Sequence, residues 1–240
     1  KVVAAAVIAA SAATSACGHS RDENPGPVVS RAYQVGDFDR VEVAGPFDVK
    51  IHTGAAPSVQ AKGSEKLIER LVVEVRDGKL LIHPKERHGW FGSWSSVHGK
   101  GELAVTVPSL RAATLAGSGG IDIDKVQGDS FEGQIAGSGD LRVQAVDVGS
   151  LKLGIAGSGG AHASSGKAKS AEYEIAGSGG VDGAAITVDS LKVSIAGSGN
   201  VKARATGRAD VDIMGSGDVE VTGGAKCSVS KAGSGDVRCS

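Results

Sequence analysis

Downstream of residue 112 the chain alternates apolar and polar positions in short runs, and the runs repeat. Ile121 and Ile123, Leu141 and Val143, Ala161 and Ala163, Val201 and Ala203, and Val219 and Val221 form pairs. Leu151, Leu153 and Ile155 form a triplet, as do Leu191, Val193 and Ile195, and Ala209, Val211 and Ile213. A period of two turns one side of a strand inward and the other to solvent, whereas a helical period would scatter these positions. Between each triplet and the following pair stands Gly-Ser-Gly, at Gly117 to Gly119, Gly137 to Gly139, Gly157 to Gly159, Gly177 to Gly179, Gly197 to Gly199, Gly215 to Gly217 and Gly233 to Gly235. The repeat is 20 residues four times and then 18 twice. A period near twenty with glycine corners predicts a solenoid with two short strands flanking each turn. The residue after each tripeptide is Gly120, Asp140, Gly160, Gly180, Asn200, Asp218 or Asp236. These residue types tolerate positive φ, so the tight turn is expected in that column. Ser130, Ser150, Ser170 and Ser190 mark a second corner. Parallel crossovers are right-handed. The expected fold is therefore all-β, a right-handed parallel β-helix with about 20 residues per coil, its six to seven rungs rising roughly 30 Å.

The outward positions test this stacking independently. If coils lie in register, one column reads Glu132, Lys152, Glu172, Lys192, Asp210, alternating in sign at every step. A second reads Asp122, Arg142, His162, Asp182, Lys202, Glu220, Arg238 and again keeps like charges apart. Opposite charges facing each other on neighbouring strands stabilise the pairing, and a one-residue slip would bury charge.

Residues 33–108 carry alternation without the perfected corner, as at Val41/Val43, Val49/Ile51, Val73/Val75, Leu80/Ile82 and Leu103/Val105/Val107. They read as irregular first coils ahead of the regular part, 109–240, of one domain spanning 33–240. Ser64 to Leu71 differs: Ser64 suits a helix N-cap, and Leu67, Ile68 and Leu71 share one helical face. A short capping helix over the solenoid's end is expected there, because terminal repeats must cover an open core. The loop from His88 to His98 holds Trp90, Phe91 and Trp94, both tryptophans of the chain. It suits either ligand contact, by stacking on a sugar or a membrane interface, or folding back against the solenoid. His88 and His98 have no Cys or acidic partner at ligand spacing, so no metal and no cofactor is expected.

Residues 1–16 begin with one cation and continue in small apolar residues, a run too short to span a bilayer, and read as a signal peptide. They end Thr14-Ser15-Ala16-Cys17, which resembles a bacterial lipobox, with Thr14 where Leu is usual. Cys17 is the expected lipidation site, and an ordinary cleaved signal is the alternative. Gly18 rather than Asp follows, so the common inner-membrane retention signal is absent. An outer-membrane-attached lipoprotein, facing periplasm or exterior, is the expected location. Residues 17–32 are polar, contain Pro25 and Pro27, and read as the tether.

Cys227 and Cys239 remain. By the repeat, both fall in inward slots of the last coil, and export places them in oxidising conditions. They form either a disulfide that staples the solenoid's end or a pair of buried thiols. The formal net charge of -1, from 26 basic and 27 acidic residues, argues against nucleic acid as a partner.

The recurrent Ala-Gly-Ser-Gly corner followed by Gly, Asp or Asn resembles the bacterial family called "putative auto-transporter adhesin, head GIN domain". Val35-Gly36-Asp37-Phe38-Asp39-Arg40-Val41 and Gly45-Pro46-Phe47-Asp48-Val49 are similar to that family's opening. Leu67-Ile68-Glu69-Arg70-Leu71 and Val75-Arg76-Asp77-Gly78-Lys79-Leu80 are similar too. The resemblance runs from about Tyr33 to Ser240 and implies a secreted or surface lipoprotein of β-helical fold. It brings no catalytic residues.

Three functions fit. The first is a non-enzymatic, membrane-tethered, adhesin-like protein of the cell envelope, with a protein or glycan partner. The second is a β-helix that binds or degrades polysaccharide. The third is a self-assembling scaffold. Enzymatic β-helices need convergent acidic or basic groups in a groove, but here Asp140, Asp218 and Asp236 are separated by Gly160, Gly180 and Asn200. The period is twice that of nonapeptide calcium rolls. The helix and the staple are expected to close the ends against assembly.

Overall fold

The computed structural model describes residues 26–85 and 101–240. The N-terminal part runs β1 (Val28–Tyr33), β2 (Arg40–Ala44), β3 (Phe47–Thr53), β4 (Ser58–Ser64), α1 (Glu65–Glu69), β5 (Leu71–Arg76), β6 (Lys79–Pro84) and β7 (Gly101–Val107). The regular part follows as β8 (Ala112–Gly117), β9 (Gly120–Gly137), β10 (Asp140–Gly157), β11 (Gly160–Ala163), β12 (Gly166–Gly177), β13 (Gly180–Gly197) and β14 (Asn200–Gly215). It ends with β15 (Asp218–Thr222), β16 (Lys226–Gly233) and β17 (Val237–Cys239).

Parallel pairing joins each coil to the next, as the repeat requires. Gly117, Gly137, Gly157, Gly177, Gly197, Gly215 and Gly233 are successive register partners. The chain is a β-solenoid. Its alternating apolar residues make one continuous core: Ile121, Leu141, Ala161, Val181, Val201 and Val219 are each at most 3% exposed. Strands are longer than the sequence suggests. β9, β10 and β13 each run unbroken for 18 residues, because the bend at Ser130, Ser150, Ser170 and Ser190 keeps its coil-to-coil partners.

The corner chemistry differs from the expectation in one respect. The positive φ belongs to the first glycine of each tripeptide, at 132° for Gly177, while Asp140, Asn200, Asp218 and Asp236 are not among the positive-φ residues. The third glycine is needed for closeness. A Cβ on Gly179 would lie 2.5 Å from Gly159 O and 2.7 Å from Ile155 Cγ2. Backbone bonds tie the corners together: Ser178 N donates to Gly157 O at 2.9 Å and Gly179 N to the same oxygen at 3.1 Å. The column after the tripeptide instead begins the next strand, with its side chains outward. There Asn200 Oδ1 accepts from Asp218 N (3.3 Å) and Asp218 Oδ1 from Asp236 N (2.9 Å).

The first coils do not stack in chain order. β2 lies between β6 and β8, and β3 lies between β7 and β9. The coil made of β6 and β7 is therefore outermost although it follows β2 and β3 in sequence. Antiparallel strands then cover its edge: β4 pairs with β7, β1 with β4, and β5 with β6. The β5–β6 hairpin turns at Asp77 and Gly78, with φ of 50° and 70°, as a two-residue loop of this kind requires. Val28 to Ala32 thus belong to β1, so the expected tether loses its last five positions to the sheet. Helix α1 buries Leu67 and Ile68, as its pattern predicts, but Ser64 makes no side-chain cap bond. Its Oγ is buried and has no hydrogen-bond partner among the described residues.

The opposite end is finished differently. Cys227 and Cys239 form a disulfide with a Cα–Cα separation of 6.6 Å. Cys227 is only half-buried and Cys239 is exposed, not enclosed as the repeat suggests, because β16 and β17 are paired on one side only, to β14 and β15. Val229 is 48% exposed for the same reason. In the column of Ile195 and Ile213 the last coil places Lys231, whose Nζ donates to Gly235 O at 2.6 Å. A charge in an inward slot discourages a second sheet from adding at this edge. Replacing Cys239 by Ser is expected to cost about 2–4 kcal/mol. In a solenoid this loss stays local. Hydrogen exchange should quicken in β16 and β17 and stay unchanged in β10 and β13.

Candidate functional site

One side of the solenoid carries β7, β3 and the opening segments of β9, β10, β11, β13, β14, β15 and β17. Two outward columns run its length. The first passes from Asp48 through Gly120, Asp140, Gly160, Gly180 and Asn200 to Asp218. The second passes from Lys50 through Asp122, Arg142, His162, Asp182, Lys202 and Glu220 to Arg238. The sequence column thus extends one coil further, to Lys50. Its charges make contact: Arg142 lies 2.8 Å from Asp140 and 3.8 Å from Asp122, and His162 Nδ1 lies 3.5 Å from Asp182. At the capped end Lys50 and Glu102 are 2.5 Å apart. The hydrogen bond between them, with their mutual attraction, raises the Lys50 pKa and lowers that of Glu102.

Three grooves lie along these columns. One of about 670 Å³ at the capped end reaches from Val28 and Lys62 to Arg142. One of about 320 Å³ reaches from Asp140 and Arg142 to Asn200 and Lys202. One of about 330 Å³ reaches from Asn200 and Lys202 to Arg238. Arg142 lines the first two, and Asn200 and Lys202 line the last two. The three are one shallow trough along the solenoid. The sequence shows its walls as a charge column but not the trough itself. The available signal was the pair of glycines at 160 and 180, where neighbouring coils place Asp140 and Asn200.

The other column, on a different side, is a ladder of ion pairs. Glu172 bonds Lys192 at 3.0 Å and Lys152 at 3.4 Å, and Lys152 also reaches Glu174 at 3.1 Å. The Lys192 hydrogen bond, followed by the Lys152 charge, holds the Glu172 carboxyl below its usual range. Both lysines are raised, Lys152 chiefly by Glu174 and Lys192 chiefly by Glu172. A depressed acid stabilises the fold above its unfolded pKa and loses that contribution as pH falls through the folded one. The lysines contribute below their unfolded pKa and lose it as pH rises through the raised folded values. Glu172→Lys is therefore expected to lower Tm by a few degrees at neutral pH and low salt. In 1 M salt the difference should shrink. Thermal melts at the two ionic strengths check this.

Cys17, His88, Trp90, Phe91, Trp94 and His98 lie outside the described residues. Cys227 and Cys239 sit at the far end. Among the described residues no cluster of His, Cys, Asp and Glu could hold a metal ion, and no helix is long and apolar enough to cross a membrane.

No curated protein matches the chain. Among solved structures it is similar to a "putative adhesin" from Bacteroides fragilis, with 19% identity and a TM-score of 0.78 over 89% of this chain and 97% of that one. It is also similar to a "putative lipid binding protein" from Parabacteroides distasonis, with 24% identity and a TM-score of 0.72 over 90% and 97%. A "putative adhesin" from Parabacteroides distasonis shares 21% identity, with a TM-score of 0.69 over 90% and 98%. At these identities the likeness is one of fold. The profile of "putative auto-transporter adhesin, head GIN domain" matches residues 37–225, most of the solenoid and its cap, and the chain belongs to that family.

Proposed function

We propose that this protein is a non-enzymatic, adhesin-like component of the cell envelope that binds its partner along the trough and is held to the membrane by a lipid on Cys17. The observation that carries this reading is the continuity of the trough. Grooves sharing Arg142 at one junction and Asn200 and Lys202 at the other line one side of a stiff solenoid. A long, shallow, polar surface supplies contact area to an extended partner. Catalysis would instead need acids and bases converging on one point within hydrogen-bond reach. In the trough Asp48, Asp122, Asp140 and Asp182 lie on different coils, at about 4.8 Å per coil, and Asp218 and Glu220, which share β15, stand in separate columns. Membership of an adhesin family supports an envelope or extracellular location.

Beads coated with the full chain should attach to envelope preparations or to cell surfaces. Beads coated with Arg142→Glu/Lys202→Glu should attach less well at a temperature well below the variant's melt, which the new like-charge neighbours Asp122, Asp140, Asp182 and Glu220 lower by a few degrees. Equal attachment of both would overturn the trough as the contact surface. Labelling with a fatty-acid analogue in the native cells should mark the protein and fail on Cys17→Ser. Release of an unlabelled, soluble wild-type protein would overturn the tether.

A further inference from the structure

The middle of the trough contains a gap in its own repeat. The column that borders it bears a short polar side chain at Asp48, Asp140, Asn200, Asp218 and Asp236 and none at Gly120, Gly160 and Gly180, of which the last two stand on adjacent coils. Backbone geometry does not require glycine at these two positions. Neither is among the residues of positive φ. A Cβ on Gly180 would meet Asn200 O at 3.5 Å, an ordinary contact, and one on Gly160 would meet the movable Asp140 Oδ1 at 2.9 Å. The corner glycines are different, since they would collide with backbone. The coil accepts Asp or Asn in this column, and two adjacent coils leave the place empty. The result is the notch of about 320 Å³, floored by bare backbone.

We propose that this notch binds a segment of an uncharged polysaccharide, a proposal that rests on the adhesin reading above and names its partner. Around the notch Arg142 and Lys202 balance Asp140 and Asp182, so a ligand of either net charge would meet a like charge for every favourable one. A neutral, hydroxyl-rich ligand uses both kinds. Carboxylates accept from its hydroxyls, and the guanidinium, ammonium and Asn200 amide donate to them. Hydrogen bonds to charged groups are the stronger kind. The notch holds no Phe, Tyr or Trp and no large exposed apolar side chain, its one ring being the His162 imidazole paired with Asp182, so it lacks the anchor that a peptide or an acyl chain would need. It is open toward the trough at both ends, past Arg142 and past Lys202, which suits a polymer passing through.

The test is titration of the full, disulfide-bonded chain with dextran, mannan and galactan. Polygalacturonate and chitosan serve as charged comparisons. At least one neutral polymer should bind, more tightly than either charged one. Gly180→Asn fills the notch with the residue that the next coil already carries and should weaken binding by about tenfold or more, equivalent to about 1.4 kcal/mol. Gly120→Asn makes the same change in the same column outside the notch and should leave affinity within about twofold, roughly 0.4 kcal/mol. Both variants should melt like wild type. Failure of all neutral polymers, tightest binding of a charged one, or indifference to Gly180→Asn would each overturn the proposal. If Gly180→Asn beads still attach to envelopes while Arg142→Glu/Lys202→Glu beads do not, the notch is wrong and the adhesin reading stands.

Discussion

Gly177→Ala, in the middle of the stack, is expected to destabilise the solenoid strongly, as would a methyl on any of the first corner glycines. Two costs coincide there. Its φ of 132° lies where L side chains are strained, a penalty of about 1–3 kcal/mol. The new Cβ also runs into the Gly157 carbonyl of the coil below, and overpacking of this kind costs about 1–3 kcal/mol more. The sum, roughly 2–6 kcal/mol, is a large part of the stability of an ordinary domain. Ser178→Ala, an exposed change at the same corner, should stay within about 0.5 kcal/mol. Equilibrium denaturation of the two variants side by side separates the glycine requirement from any general sensitivity of the corner.

Tyr173→Ala should be the most damaging large-to-small change in the core. Tyr173 is 1% exposed, in a coil whose other inward residues include Ala161, Ala163, Ala168 and Ala171. The ring fills the room that these small side chains leave and lies over Gly183 of the next coil, where a Cβ would come within 2.5 Å of its hydroxyl. Burial pushes its phenol pKa upward, with a smaller push from Asp182. Removing an aromatic ring of this size costs about 3–5 kcal/mol. The expected result is that loss in denaturant melts, with Tyr173→Phe retaining most of the stability. Near-equal destabilisation by both would mean that the hydroxyl, not the ring volume, matters.

The regular coils were legible in the sequence because each position there is constrained twice, by its own coil and by the coils above and below. Alternation identified inward residues such as Leu191 and Val193, and charge alternation at Glu172 and Lys192 fixed the register. The first coils were not legible in the same way. Gly45 occupies the same corner column as Gly117, donating from its N to Ala116 O at 2.8 Å, but Pro46 and Phe47 stand where later coils have Ser and Gly. Nothing local to β6 and β7 says that they return to cover β2 and β3. That order follows from the need to pair a free edge, which is non-local. The position of the positive φ is not legible, because Asp and Asn suit both a tight turn and a strand start that bonds the next coil. Lys231 escaped notice because a lysine amid polar residues looks solvent-facing until its column is known. The trough escaped because it is defined by side chains that are absent, at Gly160 and Gly180.

Pairwise cysteine cross-linking across the corners tests the stacked solenoid most directly. Ser158 and Ser178 are exposed corner residues of adjacent coils, about 4.8 Å apart along the axis and within disulfide reach. Ser138 and Ser178 are two coils apart, about 9.6 Å by the same spacing. Stacked corners predict that Ser158→Cys/Ser178→Cys closes a bond on mild oxidation, mapped by peptide mass, while Ser138→Cys/Ser178→Cys does not. Closure of the distant pair in preference to the near one, or of neither, would contradict a solenoid with its glycine corners in line.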